Sequence, residues 1–286
     1  MNINSFFGEM RMSISIIFSR KWRVYNMANV LVVGANQGIG YYLAERLLEL
    51  ENTVTVLDIQ LHAIEILKEK YQKTLLPIIA DARSLSGIEN GVLQAIQKFG
   101  DIDIAIHNAC LCTFESERDT DYEIYQNIMD INYFGALRLT KTVLPHMRKA
   151  KKGRIIFTSS GVGVTGLANI SPYAASKGAI ESLAKCLQIE NEEYGITFHL
   201  FHPPLTDTKS ASGISVPKEF MAKAKEVGYG LANRIWLKRF VICHSAIQTA
   251  QMKFCYRHPL FIGKMMTRAA KRAIESEKGE GRNEKI

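Results

Sequence analysis

Short apolar runs rich in β-branched residues alternate along this chain with longer helix-like segments, beginning at Asn29. Such alternation is typical of a parallel β-sheet whose strands are joined by helices that cover both faces. The runs are almost wholly apolar, as expected of strands buried on both sides. The pattern predicts strands over residues 30–33, 53–57, 75–79, 102–106, 154–158 and 196–201, and helices over 38–50, 61–71, 85–99, 122–149, 172–194 and 217–227. We therefore predict an α/β fold with a doubly wound parallel sheet.

The 286-residue chain shows no internal repeat and no low-complexity linker after residue 26. We expect a single domain over residues 27–245, followed by a basic helical C-terminal extension over residues 246–286. In residues 1–26 a short apolar patch precedes the basic residues, which is the reverse of a secretory signal. We predict a flexible extension there, and Met27 is an alternative start of translation.

Composition excludes several classes of protein. With 47% hydrophobic and 22% charged residues the chain can bury a core, so it is not disordered. No apolar run approaches 18 residues, so no membrane-spanning helix is predicted. The net charge of +8 favours anionic partners such as membrane surfaces. No zinc-finger spacing or aromatic–basic signature accompanies that charge, so we predict no nucleic-acid partner.

The five cysteines are scattered and odd in number, which argues against a disulfide framework. They favour a reducing compartment, and we predict a cytoplasmic protein. Cys110 and Cys112 form one isolated C-x-C pair. Because no second pair lies nearby, we interpret them as ordinary thiols and predict no metal site.

The first predicted strand ends in a glycine-rich turn of G-x-x-x-G-x-G spacing, and an amphipathic helix follows it. Glycine lets the backbone turn tightly and approach a pyrophosphate, whose charge then lies at a helix N-terminus. Any tight strand-to-helix turn can use glycine, so the position of the turn carries the argument. We predict a Rossmann-type dinucleotide site that includes Gly34, Asn36, Gln37, Gly38, Ile39 and Gly40.

Two acidic residues end the next two strands. Asp58 ends the second strand, where a carboxylate can accept hydrogen bonds from the adenosine ribose and repel a 2′-phosphate. Asp81 follows the third strand, near where an adenine would lie. No Arg or Lys stands in the glycine turn or directly after Asp58, so NAD is predicted over NADP. The alternative for Asp58 is a solvated strand end or a helix cap.

Ser160 follows the fifth predicted strand, and Tyr173 and Lys177 open the next helix four residues apart. Residues at this spacing share one helix face, so the phenol and the ammonium can converge. A tyrosine with a pKa near 10 is a poor base at neutral pH, and a neighbouring ammonium lowers that pKa. A lone Y-x-x-x-K also occurs by chance as a surface pair, but here a serine-ended strand and a nucleotide turn precede it.

Taken together, these residues resemble a classical-type short-chain dehydrogenase/reductase from about Asn29 to Thr208. The matching landmarks are Gly34-x-x-x-Gly38-Ile39-Gly40, Asp58, Asp81, His107-Asn108-Ala109-Cys110, Asn132, Ser160 and Tyr173-x-x-x-Lys177. The resemblance implies that Tyr173 is the general acid/base and that Ser160 holds the substrate oxygen. It also implies that Lys177 tunes Tyr173 and contacts the nicotinamide ribose, and that Asn132 helps to hold a relay water. Further cofactor contacts are implied for Ala82, Asn108, Tyr173, Lys177, Pro203, Thr206 and Thr208.

The resemblance implies an NAD(H)-dependent oxidoreductase that interconverts a secondary alcohol and a ketone, with the hydride chemistry supplied by the cofactor. Three positions depart from the family pattern, namely Val33, His107 and Pro204. They motivate an alternative, a non-catalytic dinucleotide-binding sensor or scaffold protein of the same fold. We also expect a homo-oligomer, a dimer or a tetramer, although the family's common C-terminal ending is absent.

The C-terminal third matches the family poorly. Residues 240–243 are a candidate seventh strand, and the substrate loop is expected around residues 210–229, where apolar residues suggest an apolar pocket. Over residues 261–276, apolar side chains recur at helical spacing opposite basic ones, an amphipathic pattern. Such a helix either packs on the protein or lies in an anionic membrane surface, which would favour a lipid-like substrate.

Overall fold

The computed structural model describes residues 27–214, 216, 219 and 221–283, and their side chains up to residue 272. The predicted extension over residues 1–26 lies outside the described residues. Within the described part, seven strands form one parallel sheet in the order β3-β2-β1-β4-β5-β6-β9. These strands are β1 Asn29–Val33, β2 Thr53–Asp58, β3 Leu75–Ile79, β4 Ile104–His107, β5 Gly153–Thr158, β6 Ile196–His202 and β9 Val241–Cys243. A separate two-stranded ribbon pairs β7 Thr206–Asp207 with β8 Ala222–Lys223.

Helices connect the strands and cover both faces of the sheet. They are α1 Gly38–Glu49, α2 His62–Lys70, α3 Leu85–Phe99, α4 Tyr122–Met129, α5 Gly135–Ala150, α6 Val162–Thr165, α7 Ser171–Asn191, α8 Ala224–Ala232, α9 Ala246–Arg257 and α10 Pro259–Asn283. A π-helical turn, Asp130–Phe134, joins α4 to α5. Two buried clusters, one on each face, fill the space between sheet and helices. The predicted doubly wound α/β fold is therefore confirmed.

The strand order reverses at β1, which pairs in parallel with β2 on one side and β4 on the other. Val33, the last residue of β1, lies opposite Leu57 and His107. The turns that leave these strands therefore open into one crevice at the carboxyl edge of the sheet. In open α/β sheets ligands bind at such a switch point.

Most predicted elements are confirmed, and the errors have local causes. The predicted helix over 122–149 is interrupted by the π-helical turn. The predicted helix over 217–227 is confirmed only from residue 224, because Ala222–Lys223 forms β8 and the helix runs over Ala224–Ala232. Ala222, within the ribbon, and Val227, within the helix, both pack against the same buried cluster, so apolar spacing alone did not separate the two elements. The candidate seventh strand is confirmed by the pairing of β9 with β6.

The basic extension forms two helices, α9 and α10, separated at His258. Pro259 is the first residue of α10, a position where its missing N–H costs no helical hydrogen bond. Gly263 packs so closely on α6 that a Cβ added there would lie 2.4 Å from the Thr165 carbonyl oxygen. The described helices include none with the length and apolar character needed to cross a membrane.

Candidate active site

The glycine turn lies at the crevice with the geometry that an anion site needs. Gly34 and Gly38 have positive φ values of 85° and 58°, which glycine adopts without strain. A Cβ at Gly34 would lie 2.4 Å from the Ala109 backbone, so any other residue would collide with the neighbouring loop. Gly34, Gln37, Gly38 and Ile39 line a cavity of about 810 Å³. The turn thus opens the N-terminus of α1 toward this cavity.

Two residues predicted in this cofactor site lie behind the cavity wall. Asn36 is buried, and its side-chain oxygen accepts hydrogen bonds from the backbone of Ala63 and Ile64. It therefore ties the glycine turn to α2. Gly40 packs against the Gly34 carbonyl oxygen. A Cβ added at Gly40 would lie only 2.2 Å from that oxygen. Both residues shape the turn from outside the lining.

Asp58 lines the cavity at the end of β2. One carboxylate oxygen accepts a 2.8 Å hydrogen bond from the Asn36 backbone N–H, and the other accepts from the Gln60 N–H at 3.3 Å. These bonds hold the carboxylate beside the glycine turn. The predicted contact of Asp58 with an adenosine ribose stays a prediction.

Asp81 and Ala82 also line the cavity, and Asp81 has a partner that the sequence analysis missed. The Arg83 guanidinium donates to both oxygens of Asp81, with a shortest distance of 2.6 Å. Hydrogen bonding to Arg83 lowers the pKa of Asp81. Their separation by two residues was visible in the sequence, but a pairing around a turn has no periodic signal. The cation near the adenosine side is thus already paired with a carboxylate.

Asn108 joins the glycine turn to the strand that carries the serines. Its amide donates to the Gly34 carbonyl oxygen at 2.6 Å, and its side-chain oxygen accepts from the Thr158 hydroxyl at 3.1 Å. The neighbouring His107, one of the departures from the family pattern, is not among the residues that line the cavity. It is buried against Gly135, and burial lowers its pKa to about 3, so the ring is neutral.

Ser160, Tyr173 and Lys177 converge on the cavity as predicted, and all three line it. The Ser160 side chain lies beside the Tyr173 phenol, and its interaction with that group acts to lower the pKa of Tyr173. The Lys177 ammonium donates to the Thr158 carbonyl oxygen at 2.7 Å and lies 5.4 Å from the centre of the Tyr173 ring. One face of α7 therefore presents a phenol and an ammonium to the end of β5.

The ionisation of Tyr173 differs from the expectation based on its neighbour alone. Burial, followed by the nearby thiols of Cys110 and Cys112, raises the pKa of Tyr173 well above 10. Burial has the opposite effect on the cationic Lys177 and lowers its pKa. The lowering predicted from the Lys177 ammonium is not among the effects on the pKa of Tyr173, and Tyr173 is a protonated donor at neutral pH. A protonated phenol is suited to give a proton to a substrate oxygen.

Asn132 lies in the π-helical turn and is completely buried. Its side-chain oxygen accepts from the Leu111 N–H at 2.8 Å, and its amide donates to the Leu111 carbonyl at 3.0 Å and to Ser176 at 2.9 Å. Its side chain is thus fully used in linking the loop after β4 to α7. The side chain itself has no donor left for the relay water that the resemblance implied. A π-helical turn within an α-helix, such as the one that contains Asn132, occurs frequently at functional sites.

The segment after β6 closes the crevice over the glycine turn. Pro203, Thr206 and Thr208, for which cofactor contacts were predicted, line the cavity. The Thr208 methyl lies 3.1 Å from the position of a Cβ added at Gly38. Pro204 also lines the cavity, and its carbonyl oxygen accepts from the Thr206 hydroxyl at 2.7 Å.

The C-terminal helices build a wall of the cavity that the sequence analysis missed. The expected loop contributes Ser210, Ala211, Ile214 and Val216, but α9 and α10 supply Gln248, Gln251, Met252, Phe254, Cys255, Ile262, Met265, Met266 and Ala270. Ile262 is buried and belongs to the amphipathic stripe. The stripe therefore packs in part on the domain, and most of the side chains on this wall are apolar.

Comparisons with known proteins agree with this arrangement. A family model described as short chain dehydrogenase matches residues 28–218. The 3-dehydrosphinganine reductase of Danio rerio is 30% identical over 203 residues, which is 68% of this chain and 61% of that protein. The chain thus spans less than two thirds of the length of that relative.

Solved structures of low sequence identity share the fold. A short-chain dehydrogenase/reductase from Burkholderia phymatum in complex with NAD has a TM-score of 0.72 at 17% identity, over 81% of this chain and 94% of that chain. An alcohol dehydrogenase from Thermococcus sibiricus complexed with 5-hydroxy-NADP has a TM-score of 0.67 at 23% identity, over 74% and 92%. The family model covers well over half of the chain. This protein therefore belongs to the classical short-chain dehydrogenase/reductase family.

Proposed function

We propose that this chain is an NAD(H)-dependent oxidoreductase that interconverts a secondary alcohol and a ketone, with Tyr173 as general acid/base. One observation carries the proposal. Tyr173, Ser160 and Lys177 line the same cavity as the open glycine turn. A dinucleotide held by that turn would extend toward the phenol. A sensor or scaffold protein would need the turn, but not a phenol that faces the cavity beside a serine and a lysine.

The residues present fit such a cofactor. Gly34 has no side chain to occupy the space in the glycine turn that a Cβ would fill, and Asp58 lies beside that turn at the end of β2. When bound, the nicotinamide supplies or accepts the hydride. Gly34, Gly38 and Ile39 would hold the phosphates, and Pro203, Thr206 and Thr208 would border the nicotinamide end.

The chain's own groups move the proton. Ser160 donates a hydrogen bond to the substrate oxygen, which stabilises the negative charge that develops there during reduction. Tyr173 gives its phenolic proton to that oxygen, and its raised pKa keeps the proton available at neutral pH. Lys177 holds the Thr158 carbonyl, and so the serine segment, in place. In the oxidising direction the phenolate takes the proton back.

The Tyr173→Phe variant tests this role. We expect turnover to fall by at least 100-fold, since acid–base catalysis contributes about 10²–10⁴-fold. NADH affinity, measured by fluorescence, should stay within about twofold of wild type. Tyr122→Phe is the matched control, because that ring is 76% exposed and lies outside the cavity lining. Retention of more than about a tenth of the activity would remove Tyr173 from the acid/base role. Wild type that binds NADH but reduces no ketone would support the sensor alternative.

We propose NAD rather than NADP as the cofactor. The Asp58 carboxylate would accept hydrogen bonds from the ribose hydroxyls and repel a 2′-phosphate. Arg83, the nearby cation, is already paired with Asp81. Relatives of the fold bind either cofactor, so this preference rests on Asp58 in the present chain.

For the substrate we propose a long-chain, lipid-like ketone. The apolar wall formed by α9 and α10 supports this class. A relative is named for reduction of 3-dehydrosphinganine, a substrate of the same class. A lipid-like substrate is most accessible at a membrane, so we propose peripheral contact with a membrane surface. The cytoplasmic location predicted from the cysteines is kept as part of this proposal. The homo-oligomer predicted from the sequence remains a prediction.

Large exposed apolar side chains on α9 and α10 support the membrane contact. Leu260 is 72% exposed, Phe261 62%, Met265 50% and Phe254 49%. Phe254 and Met265 also line the cavity, so they form its rim. Exposed basic residues surround them on the same helices, namely Lys253, Arg257, Lys264 and Arg268. Each basic residue near an anionic surface contributes about 1 kcal/mol.

Sedimentation with vesicles containing about 30% phosphatidylserine tests this contact. We expect wild type to pellet, and the double variant Leu260→Glu/Phe261→Glu to lose at least three quarters of its binding. Ile66→Glu is the matched control, because Ile66 is 64% exposed on α2, away from the cavity. Equal pelleting of all three proteins, or negligible pelleting of wild type, would contradict the proposal.

A further inference from the structure

Glu181 is a buried carboxylate on α7 for which the proposed mechanism has no use. It is only 5% exposed and lies one helical turn beyond Lys177. One of its oxygens accepts from the Ser159 hydroxyl at 2.9 Å and contacts His202 Nε2 at 2.7 Å. The other accepts from the Tyr256 hydroxyl at 2.7 Å. A buried charge with three partners from different elements needs an explanation.

Tyr173, Lys177 and Glu181 are spaced by four residues and share one face of α7. Each of them contacts one of three consecutive residues at the end of β5. Tyr173 lies beside the side chain of Ser160, Lys177 donates to the carbonyl oxygen of Thr158, and Glu181 accepts from the hydroxyl of Ser159. Glu181 therefore continues the Tyr–Lys stripe and fixes the residue next to the substrate-facing serine.

The two other partners of Glu181 come from the remaining walls of the site. His202 ends β6 and directly precedes Pro203, which lines the cofactor end of the cavity. Tyr256 belongs to α9, and its neighbour Cys255 lines the apolar wall. One carboxylate thus joins the serine segment, the cofactor loop and the C-terminal wall.

The charges at this junction are consistent with such a link. Burial raises the pKa of Glu181, but the interactions with His202, Tyr256 and Ser159 outweigh it, and the net pKa is lowered. Glu181 is therefore a carboxylate that only accepts hydrogen bonds. Burial and the adjacent Glu181 raise the pKa of Tyr256, so its hydroxyl keeps the proton that it donates.

We propose that Glu181 and Tyr256 are positioning residues that hold the C-terminal substrate wall in register with the serine segment. Tyr256 acts through Glu181, and Glu181 acts through Ser159 on the backbone that carries Ser160. This inference rests on the proposed function for its kinetic part and on the geometry alone for its structural part. Tyr256 lies beyond residue 218, where the match to the family model ends.

The Tyr256→Phe variant removes one hydroxyl and keeps the ring. We expect the KM for 3-dehydrosphinganine, presented in mixed micelles, to rise about tenfold, because a hydrogen bond to a charged group is lost from the substrate wall. The kcat should fall by a smaller factor, about two- to threefold, because the bond between Glu181 and Ser159 remains, and the NADH affinity should not change. Glu181→Gln, which also disturbs Ser159, should lower kcat itself by at least about tenfold.

Tyr229→Phe is the matched control. Its hydroxyl also donates to carboxylates, Glu45 and Glu49, but at the α1–α8 contact outside the cavity lining. The inference would be overturned if Tyr256→Phe and Tyr229→Phe lost the same amount of stability and neither changed the KM. A Glu181→Gln enzyme that folds and keeps the kcat of wild type would also overturn it.

Hydrogen exchange tests the link without turnover. In Tyr256→Phe we expect faster amide exchange in both residues 246–257 and residues 158–163, with no change there in Tyr229→Phe. Exchange that rises in the helix alone would overturn the link to the serine segment. Wild type that reduces no ketone would refute the proposed function, while this exchange result would still decide the positioning role.

Discussion

Replacing Asn132 with alanine should weaken the protein and its activity together. The side chain makes three buried hydrogen bonds of 2.8, 3.0 and 2.9 Å, two to the Leu111 backbone and one to Ser176. Each is worth about 1 kcal/mol net, and the two Leu111 groups left unpaired add to the cost. The free energy of unfolding should therefore fall by about 3–5 kcal/mol. That corresponds to a Tm about 5–10 °C lower in a domain of this size.

Differential scanning calorimetry and urea unfolding measure this loss, with Asn127→Ala as the control. Asn127 is exposed on α4, one turn before the π-helical segment, so its replacement should change Tm by about 1 °C or less. Turnover of the Asn132 variant should fall even well below its Tm, because Leu111 anchors the loop that lines the cavity opposite Tyr173. A Tm within about 1 °C of wild type would refute the assigned role of these three bonds.

Two further outcomes follow from the electrostatics of the site. Because the pKa of Tyr173 is raised, its phenolate fraction is small at neutral pH, so alcohol oxidation should accelerate about tenfold per pH unit from about pH 6 to pH 8 while ketone reduction stays flat. An oxidation profile that levels off at or below about pH 8 would contradict the raised pKa. Asp58→Ala should relax the preference for NAD, seen as a ratio of NADPH to NADH affinities that rises about tenfold or more in binding titrations. Wild type that binds NADPH as tightly as NADH would show that Asp58 has been assigned the wrong role.

The parts of the fold and site that sequence predicted are those with a local signal. The strands are continuous apolar runs, and Tyr173 and Lys177 meet because a helix brings residues four apart onto one face. The glycine turn follows from its place between strand and helix. Such features depend on neighbours in the chain, so spacing alone recovers them.

The parts that sequence did not predict depend on long-range packing. The stripe that includes Ile262 indicated an amphipathic helix, but nothing in its spacing named α6 or the cavity as its partner. The bond from Tyr256 to Glu181 joins residues 75 positions apart and has no periodic signal. The Asp81–Arg83 pair and the buried orientation of His107 depend likewise on how the chain turns in space.

The burial of His107 against Gly135 restricts how this sequence can change. A Cβ at residue 135 would lie 2.8 Å from the imidazole, so the histidine fits only where the facing helix has no side chain. Substitution of Gly135 before His107 would pass through an overpacked intermediate, at a cost of about 1–3 kcal/mol. The reverse order, with a smaller residue first at position 107, avoids that collision. The two positions are therefore expected to covary among related chains, with histidine at 107 found together with glycine at 135.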